Sequence, residues 1–123
     1  ALPANFHPVG HVPHDWLLPR CALAIHHGGS GTTHSATRAG IPSVIVPFAG
    51  DQFFWNQRLC ALGVMRHTLR GRTITADRLA AAIEHAESTD ARQRATALGT
   101  RMRGEDGTAA AVKLMERYAI TPA

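Results

Sequence analysis

Residues 24–42 read AIHHGGSGTTHSATRAGIP. An apolar run meets His26 and His27, then Gly28-Gly29-Ser30-Gly31, then a helical pattern. Three glycines in four positions carry a backbone-entropy cost that needs a reason, and close approach of another group to this backbone is one. Cys21–Ile25 (CALAI) predicts a short strand before the glycines, and Thr32–Ala39 a helix after them. Gly40 closes that helix and Pro42 follows just beyond. Ser43–Val46 (SVIV) is continuous and largely β-branched, as expected of a buried parallel strand. The order strand, helix, strand, helix predicts an α/β fold: a Rossmann-like parallel sheet with flanking helices.

Outward from this unit the pattern continues. Phe6–Val12 predicts a short strand broken by Pro8 and Pro13, and His14–Leu18 one turn of helix stopped by Pro19. Asp51–Leu62 predicts a helix ending at Gly63, and Val64–Leu69 a further strand. Thr75 caps a helix over Ala76–Ala86. A second starts at Asp90 with Ala91, Ala95, Leu98 and Met102 on one stripe, and a third over Gly107–Tyr118 carries Ala110, Leu114 and Tyr118. Trp16 is expected to cover the core.

The chain has 123 residues, enough for one domain and one core (residues 1–123). Its net charge of +4 rests on twelve Arg and one Lys. The Arg residues are scattered and few aromatics lie among them, so no nucleic-acid track is expected. No run approaches the length of a membrane span, and the first residues lack the pattern of a signal peptide. Cys21 and Cys60 lie in apolar surroundings without metal-type spacing, so they are expected as buried, reduced thiols of a cytoplasmic protein.

In open parallel sheets ligands bind beyond the carboxyl ends of the strands. The glycine turn lies at such an end and at a helix N-terminus, where backbone N–H groups lack partners and the dipole favours anions. Ser30 and Thr32 add hydroxyl donors. Only one of His26 and His27 should face a ligand, because successive strand side chains alternate. A turn that merely redirects the chain is the alternative. The Walker loop is excluded because the only lysine is Lys113. The dinucleotide fingerprint starting at Gly29 fails at His34, and an esterase elbow around Ser30 fails at Thr32.

The longer run HHGGSGT…AGIPSVIVPFAGDQ resembles the donor-binding signature of nucleotide-sugar glycosyltransferases of the two-Rossmann (GT-B) type. It is nearest the branch of bacterial antibiotic and sterol glucosyltransferases. His27, Gly29, Gly31, Thr32, Gly40-Ile41-Pro42, Pro47 and Asp51-Gln52 fall at the family's spacing, and HVPHDWLLPRC resembles its Trp-x-Pro-Gln segment. The resemblance spans about His11 to Gly63. It implies that His27 and the amides and hydroxyls of Gly29, Ser30, Gly31 and Thr32 hold the donor's diphosphate without a metal or other cofactor. It implies that Asp51 and Gln52 bond the sugar hydroxyls; helix capping by Asp51 is the plain alternative, and both roles can hold at once. The backbone of Val12 would read the base, with His11 beside the ring or simply on the surface. Ser35 replaces a glutamate that grips the ribose in plant members, which weakens that contact. His26 has no required role, and Asn56 is a further candidate for the cleft.

The family's other half, an acceptor-binding domain supplying a histidine general base, has no counterpart here, so no catalytic residue is assigned to this chain. The resemblance implies the donor-binding part of an inverting hexosyltransferase using UDP- or dTDP-sugar, truncated on its N-terminal side and inactive alone. Acceptor contacts, including those to a lipophilic or membrane-associated acceptor, would lie in the missing half. Such a piece is expected to expose a sheet edge or apolar face and to self-associate. A stand-alone donor subunit of a split glycosyltransferase and a non-enzymatic phosphate-binding module are the competing readings.

Overall fold

The computed structural model describes residues 2–66 and 68–119. Two parallel strands, β1 (Ala24–His26) and β2 (Ser43–Ile45), pair in the register Ala24–Ser43, Ile25–Val44 and His26–Ile45. Helix α1 (His14–Leu17) runs into a 3₁₀ turn over Leu18–Arg20. Helix α2 (Ser30–Ala39) links the strands, and α3 (Gln52–Ala61) follows β2. After a 3₁₀ turn at Gly71–Thr73 come α4 (Ala76–Glu87), α5 (Thr89–Arg103) and α6 (Gly107–Ala119).

The SVIV run is buried as its composition predicts, with helices covering both faces of β2. Ile45 packs with Leu59, Val64, Met65 and Ala95. Val44, on the opposite face, packs with Leu69, Ala82 and Ala86. Gly40 ends α2 with φ 77°, and its N–H bonds back to Ala36 and Thr37 carbonyls, so this stop is where the sequence predicts it. Thr75 caps α4 through the Arg78 N–H at 3.3 Å, and Ser88 caps α5 through the Ala91 N–H at 3.3 Å. Helix α5 therefore begins before Asp90.

Helices α2 and α5 pack closely because α5 presents Ala91, Ala95 and Gly99 along one buried stripe. At Gly99 a Cβ would stand 2.6 Å from Gly40 Cα and 2.8 Å from both Gly40 N and Thr37 O. The two backbones are in contact there. Arg38 Nη1 donates to Met102 O (3.0 Å), and Arg103 Nη1 donates to Arg38 O (2.6 Å), so each guanidinium satisfies a carbonyl at the other helix's end.

Several expectations are corrected. Phe6–Val12 is not a strand: Pro8 removes a donor, no neighbouring strand pairs with it, and Phe6 and Val9 are exposed. Among its described residues Val64–Leu69 also forms no strand, His67 lying outside them; Val64, Met65 and Leu69 are buried as core residues of an irregular segment instead. Pro19 does not stop the first helix but sits within its 3₁₀ extension, where a missing N–H costs little. Strand β1 covers only Ala24–His26 of the apolar run and its flank. Trp16 is 55% exposed and lies under the Arg20 guanidinium at 4.6 Å, not over the core. Cys21 and Cys60 are free but only partly buried. Helix α6 has no buried residue, so its Ala110, Leu114 and Tyr118 stripe faces outward.

Candidate functional site

The carboxyl ends of both strands feed a helix N-terminus. His26 leads through His27-Gly28-Gly29 into α2, and Ile45 leads through residues 46–51 into α3. The first intrahelical bond of α2 runs from Thr33 N–H to Gly29 O at 3.0 Å, and the N-cap position, a glycine, offers no side-chain acceptor. The amides of Ser30, Gly31 and Thr32 are thus left open at the positive end of the helix dipole.

The three glycines have three different reasons. Gly28 has φ +92°, and a Cβ there would lie 2.6 Å from Ile45 Cγ2 and 3.3 Å from Gln52 O. It is the hinge that seats the turn against the sheet end and the start of α3. At Gly29 a Cβ would meet His27 Nε2 at 2.6 Å, so this glycine makes room for the His27 ring. Only at Gly31 does a Cβ meet nothing within 4 Å. Glycine inside a helix costs about 1 kcal/mol relative to alanine, and the fold offers no compensating contact at this position. Gly28 and Gly29 thus serve packing within the turn, and Gly31 alone of the three faces open space.

The Gly28–Gln52 proximity brings the two predicted clusters together. Their side chains are already engaged. Gln52 Oε1 accepts the N–H groups of Phe48 (2.7 Å) and Ala49 (3.1 Å), which fixes the loop after β2 and leaves the amide nitrogen of Gln52 as its donor. Asp51 stands at the start of α3 without a side-chain capping bond, and its Oδ2 accepts the Trp55 indole N–H at 3.1 Å. Trp55 is therefore a residue that sequence reasoning left without a role; the i, i+4 spacing to Asp51 on a predicted helix was the available signal. Asn56 is 1% exposed and so is buried rather than facing the cleft.

The remaining predicted residues are less closely joined. His11 is exposed and Val12 half-buried in the segment before α1, which packs on α2. Ser35 lies one turn beyond the open amides. With Asp15, Pro19, His34, Arg38 and Arg103 it lines an open cavity of about 490 Å³. Arg38 and Arg103 of that cavity each donate one N–H to a backbone carbonyl near the end of the other's helix.

His27 is exposed beside Gly29, while His26 is half-buried at the sheet edge. Burial, and to a lesser extent the neighbouring charges of His27 and His14, pushes the His26 imidazole down to about 4. His26 is a neutral ring at physiological pH. Among the described residues no cluster of three or more metal-ligating side chains occurs.

The family profile described as "Erythromycin biosynthesis protein CIII-like, C-terminal domain" matches residues 1–116. A sterol 3-beta-glucosyltransferase of Arabidopsis thaliana is 37% identical over 117 residues, covering 95% of this chain and 19% of that protein. One of Aspergillus fumigatus is 40% identical over 116 residues, covering 94% of this chain and 8% of the relative. Among solved structures, the glycosyltransferase VinC in complex with dTDP superposes with a TM-score of 0.80 at 29% identity, over 95% of this chain and 30% of that one. The glycotransferase of kitacinnamycin superposes with a TM-score of 0.75 at 32% identity, over 87% of this chain and 28% of that one. This chain thus spans about a fifth or less of the curated relatives' length and under a third of the solved chains.

Proposed function

This chain belongs to the erythromycin biosynthesis protein CIII-like C-terminal domain family of glycosyltransferases, and from that premise we propose that residues 1–123 form the nucleotide-sugar donor-binding unit of an inverting hexosyltransferase. The donor is a UDP- or dTDP-hexose and the acceptor a hydroxyl group carried by a lipophilic molecule. The observation that carries this reading is the glycine turn: open amides at Ser30–Thr32, a Gly31 with empty space where a Cβ would be, and Gln52 packed against Gly28.

The chemistry follows from charge. As an acceptor oxygen attacks the anomeric carbon, the glycosidic C–O bond to the diphosphate breaks and negative charge builds on the phosphate oxygens. Preorganised N–H donors at a helix N-terminus stabilise that charge more in the transition state than in the ground state. His27 adds a donor at the same edge, so the turn carries out this task without a metal. Asp51, held by Trp55, and the Gln52 amide nitrogen orient the sugar hydroxyls; Val12, with His11 beside it, meets the base, and Ser35 the ribose.

The general base lies outside this chain, in an acceptor domain supplied by the rest of the polypeptide, and the isolated chain forms no glycoside. The VinC complex with dTDP supports the nucleotide class, and the names of the sterol glucosyltransferases support a glucose-like sugar and an apolar acceptor. The edge of β1 that no described strand pairs and the outward apolar stripe of α6 favour contact with that domain, or self-association in its absence. The two free thiols favour a reducing, cytoplasmic setting.

Gly31→Ala tests the reading because it moves stability and binding in opposite directions. The helix gains up to about 1 kcal/mol from the better helix former, which raises the melting temperature by a few degrees. The methyl group obstructs the diphosphate, and dTDP affinity falls about tenfold or more in calorimetric titration without added metal. Wild-type chain binds dTDP or UDP more tightly than inorganic pyrophosphate. Equal binding of all three, or a Gly31→Ala variant that binds as well as wild type, contradicts the proposal.

A further inference from the structure

We propose that His26 is the positioning residue of the glycine turn, a neutral imidazole whose two nitrogens tie the turn's backbone to the sheet. The assignment rests on the reading of that turn as the diphosphate seat and adds a residue to which the binding chemistry itself gives no task.

Gly28 N–H points at His26 Nδ1 at 3.1 Å, and His26 Nε2 lies 3.2 Å from Ser43 Oγ. An amide only donates, so Nδ1 is the acceptor and carries no proton. The proton of the neutral ring then sits on Nε2 and is donated to Ser43 Oγ. Ser43 is 4% exposed and belongs to β2, so one end of the imidazole is anchored in the buried strand. The other end holds the amide of the residue whose φ of +92° turns the chain toward α2. An imidazolium would have no lone pair for Gly28, and burial keeps the ring in its neutral form.

This bond fixes what the following residues can do. Gly28 is pinned from one side by His26 and from the other by Ile45 Cγ2 and the Gln52 backbone. With that amide held, the exit direction from β1 is set, and so are the seat of the His27 ring over Gly29 and the aim of the first α2 amides. Without it the glycines have a broad range of backbone conformations, and the amides must be ordered at the moment of binding.

Two variants separate this role from simple packing. His26→Phe keeps a ring but has no acceptor. His26→Asn shrinks the side chain yet retains an oxygen able to accept the N–H two residues on, as in an Asx turn. Three readouts are taken on the full 123-residue chain. Imidazole ¹⁵N spectra of the wild type at neutral pH should show an unprotonated Nδ1 and a protonated Nε2 for His26. Amide exchange at Gly28 should be about tenfold faster in His26→Phe and near wild type in His26→Asn. The dTDP affinity should fall about fivefold to tenfold in His26→Phe and be largely restored in His26→Asn. An Nδ1-protonated ring, unchanged Gly28 exchange in His26→Phe, or equal loss in both variants overturns the proposal. If His26→Phe does not fold, the wild-type tautomer and His26→Asn exchange still decide. If the tautomer and exchange results hold but the wild type does not bind dTDP, the donor reading fails and the positioning of the turn stands.

Discussion

His27→Ala is expected to weaken dTDP binding by roughly 10- to 150-fold, the equivalent of one hydrogen bond to a charged group. Thermal stability should barely move. The side chain is exposed and its ring rests over Gly29 rather than in the core. Surface substitutions of this kind stay within about 0.5 kcal/mol. Calorimetric titration beside a melting curve separates the two effects. Unchanged affinity would remove His27 from the diphosphate seat and leave the helix N-terminus as the sole source of anion binding.

Gly99→Ala should lower the stability of the fold although alanine is the better helix former. Two effects oppose each other. In an isolated helix alanine is better than glycine by about 1 kcal/mol. Here the added Cβ would stand 2.6–2.8 Å from Gly40 Cα, Gly40 N and Thr37 O. All three are backbone atoms, so no side-chain rotation relieves the clash, and α5 must move away from α2. Overpacking of this kind costs about 1–3 kcal/mol or somewhat more. Set against the helix gain, the net loss is about 1 kcal/mol, which lowers the melting temperature by roughly 3–6 °C for a chain of this size. Helix α5 would also loosen its hold on Arg38 and the C-terminal end of α2, the helix whose other end carries the open amides. A rise in melting temperature would mean that the helices are farther apart than described.

Much of this was legible before the fold was known, because the signals are local. The Gly40-Ile41-Pro42 stop, the SVIV strand, and the Thr75 cap each rest on a residue's own backbone preference or on side-chain pattern. The glycine turn was legible as a turn at a strand's end for the same reason. What was not legible depends on distant partners. Val64–Leu69 has the composition of a strand, but among the described residues no strand pairs with it, and Val64, Met65 and Leu69 fill the core without sheet pairing. Phe6–Val12 fails as a strand for the same want of a partner. Gly99 reads as a weak point in a helix until Gly40 is found against it.

The site shows the same division. The Gly28–Gln52 contact joins two segments that spacing had only aligned. Gly29 serves the His27 ring, which no spacing rule reveals. His26 lacked a role on paper because its role is a ring folded back on the backbone two residues later and anchored in the next strand. Asp51 fits both a helix cap and a sugar contact by its position; its carboxylate makes no capping bond and meets the Trp55 indole instead.

The central claim is that the glycine turn and the start of α3 together form a nucleoside-diphosphate seat. The most direct test is ¹H–¹⁵N mapping of the ¹⁵N-labelled chain titrated with dTDP. The account predicts the largest shifts at the amides of Gly28 to Thr32, with smaller ones at Val12, Asp51 and Gln52. Shifts centred on the cavity between Asp15, Arg38 and Arg103, or none at the glycine turn, would contradict it.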